Sequence, residues 1–221
     1  GEAAQLPEHS SQAVETRMTA LLGEHPIAGV PFEAWVARGP IAKTLLDLAC
    51  CEHIDLIALG TRGIGQGFPA LGSVAGQILF EAPCPVLTVG EQMRGHRAER
   101  LERILYATDF SPASLRALPY ALSLAKKKDS HLMLLYVDAR EVSSDWLVEA
   151  AFEGKLLNLL PADAHPRSVE PIIAIGSAVN GVVDTAMEHD ADIIVMGSPL
   201  EAPDCSMQIH ARAHCPVLSV R

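Results

Sequence analysis

Aromatic residues make up 5% of the 221 residues, and basic ones are outnumbered: 17 Lys and Arg stand against 27 Asp and Glu, a formal net charge of -10. That excess repels phosphate backbones, and the one basic run is 126–128, so no nucleic acid partner is expected. No apolar run approaches the roughly 20 residues that span a bilayer. The opening GEAAQLPEHSSQ lacks the basic and apolar regions of a secretory leader. No membrane contact is expected, and the expected location is cytoplasmic. The five cysteines (Cys50, Cys51, Cys84, Cys205, Cys215) are odd in number and form no CxxC pair, which points away from a disulfide framework or a zinc site. Cys50 and Cys51 end an apolar helical stretch with Ile41, Leu45, Leu48 and Ala49, and burial is expected for them. HExxH, GxSxG and GxGxxG are missing, and the nine histidines have no metal-ligand spacing. Neither a metal site nor a catalytic residue is assigned.

What the chain does contain is an internal repeat. RGPIAKTLLDLACCEHIDLIALGT (38–61) lies over IGSAVNGVVDTAMEHDADIIVMGS (175–198) at a constant offset of 137, pairing Gly39 with Gly176, Asp55 with Asp192 and Gly60 with Gly197. APCPVLTV (82–89) lies over AHCPVLSV (213–220) at an offset of 131, so the second copy has lost 6 residues between those segments. The expected organisation is two homologous units, 1–92 and 104–221, joined by a charged linker over 93–103.

In the second unit ILYATDF reads as a strand. SPASLRALPYALSLAKKK reads as a helix with Ser111 as N-cap, Pro112 at its first position, Leu115, Leu118, Leu122 and Ala125 as apolar face, and a kink at Pro119. HLMLLYVDA, VEPIIAIG, ADIIVMG and CPVLSV read as further strands, and DWLVEAAFEGKLLNLL and AVNGVVDTAMEHD as the helices between them. In the first unit FEAWVA and DLIALG read as strands. Continuously apolar strands separated by helices indicate a parallel sheet covered on both faces. The expected fold class is α/β: two doubly wound, flavodoxin-like domains in tandem, strand order 3-2-1-4-5, the first incomplete.

Ligands of such sheets bind beyond the carboxyl ends of the strands. Those ends carry Asp109, Val137, Gly197 and, in the first unit, Gly60. Gly60 opens GTRGIGQGFPALGS (60–73), which also contains Gly63, Gly65, Gly67 and Gly72. Glycines let backbone N–H groups approach an oxyanion, and Ser73, opening the next helix, adds a hydroxyl and the positive end of the helix dipole. Phosphate is the natural guest, although the lysine of a P-loop is missing. A ligand-free surface crossover is the alternative.

These residues resemble the universal stress proteins, and in particular their tandem two-domain members. The family's nucleotide signature is G-x2-G-x9-G-[ST]; Gly60, Gly63, Gly72 and Ser73 match it with eight residues in place of nine. ILYATDFSPAS is similar to the family's first strand, whose aspartate, here Asp109, contacts adenosine in nucleotide-binding members. Val137 matches the second-strand position that touches adenine, and VMGS (195–198) the end of the fourth strand. The resemblance implies ATP, with or without Mg2+, as ligand, bound by Gly60, Gly63, Gly72, Ser73 and Val74 on the phosphate side and by Thr108, Asp109, Val137, Met196 and Gly197 on the nucleoside side. It further implies a stress-response module that acts by dimer contacts, with at most weak ATP hydrolysis, and a homo-oligomer. Because family dimers pair through their last strands, Val86–Val89 and Val217–Val220 are expected to lie antiparallel across an internal pseudo-two-fold axis. The other reading is an interaction protein whose pockets have decayed.

Two departures bear on the ligand. The second unit's loop is GSPLEAPDCS (197–206): the later glycines are gone, Pro199 and Pro203 have no N–H to donate, and Asp204 falls opposite Ser73. No triphosphate is expected there. The first unit has no counterpart of residues 103–137, so it lacks the first strand, first helix and second strand. Its remaining strands are expected not to form a lone sheet; the expectation is a longer natural chain or strands from another copy.

Overall fold

The computed structural model describes residues 14, 16–20, 23, 31, 33–61, 71–90, 101–128, 130–139, 146–162, 168–198 and 203–221. By compactness the chain divides into Gly1–Thr44 and Leu45–Arg221. In the first, residues 16–20 are helical and 33–38 form no strand. The strand expected at FEAWVA is therefore absent from the described residues of that stretch. In the order 3-2-1-4-5 a third strand hydrogen-bonds to a second, and no such partner is present among the described residues of the first repeat. Helix α1 (Ile41–Cys51) follows. Its buried stripe is Ala42, Leu46 and Ala49, while Ile41 is 63% exposed. Cys50 and Cys51 are both exposed, against the burial expected of them, because they fall beyond that stripe on the helical wheel.

Within Leu45–Arg221 the elements alternate: β1 (Ile57–Gly60), α2 (Ser73–Glu81), β2 (Val86–Val89), β3 (Arg103–Ala107), α3 (Pro112–Lys128), β4 (His131–Asp138), α4 (Trp146–Leu157), β5 (Ser168–Ile175), α5 (Ala178–Glu188), β6 (Ile193–Gly197), α6 (Pro203–Arg212) and β7 (Val217–Val220). They build one seven-stranded sheet in the order β1-β2-β7-β6-β3-β4-β5. The five strands of the second repeat are parallel, in the expected order 3-2-1-4-5. Alternate residues go to opposite faces. Ile104, Tyr106, Leu132 and Leu134 meet Ala117, Ala121 and Leu156 of α3 and α4. Leu105, Ala107, Met133 and Leu135 meet Val182, Ala186 and Ile209 of α5 and α6. With both faces covered the central positions of β3, β4 and β6 are apolar, which is why these strands read as hydrophobic runs.

Helix α3 buries Leu118 and Ala125 of its expected face and packs Leu122 against the core, but its stripe is turned towards the alanines. Leu115 is 37% exposed, and the buried positions are Ala117, Leu118, Ala121 and Ala125. The alanines let the helix lie close on the sheet, and Gly197 at the end of β6 extends the same close approach: a Cβ there would stand 2.3 Å from the Ala113 carbonyl oxygen.

The repeats join at an antiparallel seam, as expected from their shared CPVL endings. Val86 pairs with Ser219, Leu87 with Leu218 and Thr88 with Val217. His210 of α6 pins this seam from above: Nδ1 lies 2.6 Å from Thr88 Oγ1 and Nε2 2.8 Å from Ser219 Oγ, all three residues buried. Thr88 and Ser219 are equivalent positions of the two repeats, while the position equivalent to His210 holds Leu79. One histidine thus ties both copies of the final strand.

Candidate functional site

The site is built where β3 turns into α3. Thr108 donates its N–H to the Leu135 carbonyl (2.9 Å), which carries the parallel ladder one residue past β3. The next residues then fold on their own side chains. Phe110 N–H donates to Thr108 Oγ1 (3.0 Å) and Ser111 N–H to Asp109 Oδ1 (2.9 Å), two local turns that threonine and aspartate are suited to close. Phe110 takes the left-handed conformation (φ 61°) between them. Ser111 caps α3 by accepting from Ser114 N–H (3.2 Å), as its place before Pro112 suggests. Ser114 in turn pairs with Thr108 (2.9 Å), and its carbonyl accepts from the buried Tyr106 hydroxyl (2.9 Å). Burial raises the pKa of the Asp109 carboxyl, but hydrogen bonds from Ser111 and Ser114 outweigh it and hold the group below the ordinary aspartate value. Asp109 is therefore a fixed carboxylate.

Beside it, at the carboxyl ends of β3, β4 and β6, lies a cavity of about 290 Å³. Thr108, Asp109, Val137, Met196 and Gly197 all line it, so the nucleoside-side residues drawn from the sequence come together in one place. Val137 is set by close contact with α5, since a Cβ on Gly181 would approach its two methyls to 2.7 Å. The sequence reading missed the far wall: Val182 of α5, and Cys205, Ser206 and Ile209 of α6. Ser114, also missed, was signalled by its place three residues after the N-cap, where a hydroxyl returns to the cap. Burial and the nearby Asp109 charge push the Cys205 thiol up, so it stays protonated.

The phosphate-side residues are elsewhere. Gly60 closes β1, Thr61 N–H donates to Val89 O (3.0 Å) and Gly72 N–H to Thr61 O (2.9 Å), so the loop's two ends are tied together. Gly72 is the N-cap of α2 and brings no side chain to it, with Ser73 and Val74 opening the helix. Gly63 lies outside the described residues. Because β2 runs antiparallel to β7, the carboxyl end of β1 points to the opposite end of the sheet from those of β3, β4 and β6. Gly60 and the Asp109 cavity of one chain therefore lie at strand ends that point to opposite ends of the sheet.

Among the described residues no group of His, Cys, Asp and Glu is arranged to hold a metal ion, and no helix is long and apolar enough to cross a membrane. A hydroxyl, imidazole and carboxylate stand in file where Ser168 and Glu170 (2.9 Å) flank His131. They sit at the amino ends of β4 and β5, away from the cavity, and tie those strands to each other.

The model of the universal stress protein family matches residues 2–90 and 100–221. The chain is 46% identical over 65 residues to a universal stress protein of Thermus aquaticus; the match covers 28% of this chain and 47% of that one, about half the relative's length. It is 26% identical over 139 residues to a universal stress protein of Methanocaldococcus jannaschii, covering 54% of this chain and 82% of the other. Among solved structures a universal stress protein of Archaeoglobus fulgidus superposes with a TM-score of 0.73 at 21% identity, over 99% of this chain and 84% of that one. At that identity the likeness speaks for the fold.

Proposed function

Since the chain belongs to the universal stress protein family, we propose that it is a stress-response module of the cytoplasm that binds adenine nucleotide and acts through dimer contacts rather than by catalysis, with at most weak ATP hydrolysis. The observation that carries the adenosine part of the reading is the cavity beside Asp109, where an ionised carboxylate and the Thr108 and Ser114 hydroxyls border apolar walls from Leu135, Val137, Met196 and Ile209. Small-ligand pockets have this character: apolar walls hold a planar ring while a few fixed polar groups orient it. A carboxylate acceptor suits ribose hydroxyls or an exocyclic amine.

ATP is assigned to the first unit. Its glycine loop supplies the phosphate cradle through Gly60, Gly63, Gly72, Ser73 and Val74, and the uncapped start of α2 adds the dipole. The units concerned are 1–92 and 104–221, joined by 93–103.

The test separates loop from cavity. Gly72→Asp places a carboxylate where phosphate would sit, yet spares the fold: Gly72 has φ -62° and ψ 147°, a backbone any residue adopts, and aspartate is a favoured N-cap. Calorimetry is expected to find ATP binding abolished in this variant. Undiminished binding removes the loop from the assignment. Mass spectrometry of material released on denaturation identifies the ligand carried by the protein as purified, and a chain that neither carries nor binds any adenine compound is instead an interaction protein with decayed pockets.

A further inference from the structure

The cavity has a charge character of its own. Asp109 is the one residue of its lining that carries a formal charge; the other polar lining groups among the described residues are hydroxyls and the Cys205 thiol. Among the described residues no lysine, arginine or histidine lines it. Three of the donors that would welcome an anion at the surrounding helix starts are already engaged. Ser111 N–H goes to the Asp109 carboxylate and Ser114 N–H to Ser111 Oγ. Asn180 N–H at the start of α5 goes to Ser177 Oγ. Pro112 and Pro203 have no N–H, and Asp204 brings a second carboxylate to the first turn of α6. Helix α2, the equivalent of α6 in the first repeat, has no acid in its first turn. At about 290 Å³ the space is also at the small end for ligand pockets.

We infer that this cavity takes an unphosphorylated nucleoside of the adenosine class and rejects its phosphate esters. The inference rests on the adenine-nucleotide reading above and gives the second unit a specificity opposite to that of the first. The walls select the ring, Asp109 takes the ribose hydroxyls, and a phosphate on the 5′ carbon meets an anionic field with no cation among the described lining residues to offset it.

The experiment compares adenosine, AMP and ATP by calorimetry on the Gly72→Asp chain, in which the glycine loop no longer competes for phosphate. Adenosine is expected to bind, AMP to bind at least about tenfold more weakly, and ATP more weakly still, with added salt narrowing the differences. Asp109→Asn keeps the local turn, which asparagine also closes. It is expected to weaken adenosine by about tenfold and to reduce its advantage over AMP. Saturating adenosine is expected to slow alkylation of Cys205 while the exposed Cys50 and Cys51 react as before. AMP or ATP binding as tightly as adenosine overturns the inference and leaves the nucleotide reading standing. Adenosine binding without protection of Cys205 also overturns it, by placing the ligand elsewhere. If none of the three binds, in this variant or in the unaltered chain, the nucleotide reading itself fails.

Discussion

Gly197→Ala is expected to destabilise Leu45–Arg221 by on the order of 3 kcal/mol or more. The added Cβ would stand 2.3 Å from the Ala113 carbonyl oxygen, 2.4 Å from its carbon and 2.5 Å from Ser114 Cα. These are backbone atoms of the first turn of α3, with no flexible side chain to swing aside, so the start of the helix has to move. That movement loosens the Ser114 contacts to Tyr106 and Thr108 and with them the turn that fixes Asp109. Gly60 is the equivalent glycine of the first repeat and supplies the control. It is exposed. Gly60→Ala is expected to change stability by less than about 1 kcal/mol. Urea unfolding measures both, with the slope compared as a check that the unfolded state is the same. A Gly197→Ala loss no larger than that of Gly60→Ala would falsify the steric account.

The second large effect is acid lability from the seam. Burial lowers the pKa of His210 to about 3, from an ordinary value near 6.5. The folded protein keeps the imidazole neutral, bonded to Thr88 and Ser219, while the unfolded chain takes up a proton below about pH 6.5. The contribution of this group is therefore fully present above pH 6.5. It declines as pH falls from 6.5 towards 3, by on the order of 1.4 kcal/mol per pH unit. Asp109, with its depressed pKa, acts only further down, below the ordinary aspartate range. His210→Leu copies the residue at position 79 of the other repeat. It is expected to cost about 1 to 3 kcal/mol at pH 7, because two buried hydroxyls lose their partner, and to flatten the acid slope. Urea midpoints at pH 7 and pH 4.5 for both proteins give the answer. Parallel pH dependences would show that the imidazole is not the titrating group.

The sequence made the parallel sheet legible because burial on both faces leaves the centres of these strands apolar: ILYATDF, HLMLLYVDA and ADIIVMG fall at β3, β4 and β6. It made the seam legible through two copies of CPVL. Helix faces were harder. In α3 the leucines suggested a stripe through Leu115, but the alanines are what approach the sheet, and small residues give no hydrophobic signal of their own. Cys50 and Cys51 misled in the same way, through the phase of α1. FEAWVA has the composition of a strand, yet a strand needs a neighbour, and the neighbour is a tertiary fact. Of the cavity, the residues at strand ends (Thr108, Asp109, Val137, Met196, Gly197) could be placed by counting along a strand. Cys205, Ser206 and Ile209 could not, because they belong to a helix entered through a loop whose length differs between the repeats.

The seam between β2 and β7 also sets an order of events during synthesis. Its partners stand about 130 positions apart in the chain. At roughly 5 to 20 residues per second, β2 leaves the ribosome on the order of ten seconds before β7 exists. For that interval one edge of β2 has no ladder partner within the chain, a state in which strands pair with whatever edge they meet. Two features limit the exposure. The strand is four residues long, and Thr88 puts a hydroxyl in its middle. The same threonine that later pairs with His210 is thus, until β7 arrives, the polar interruption of an otherwise aliphatic edge.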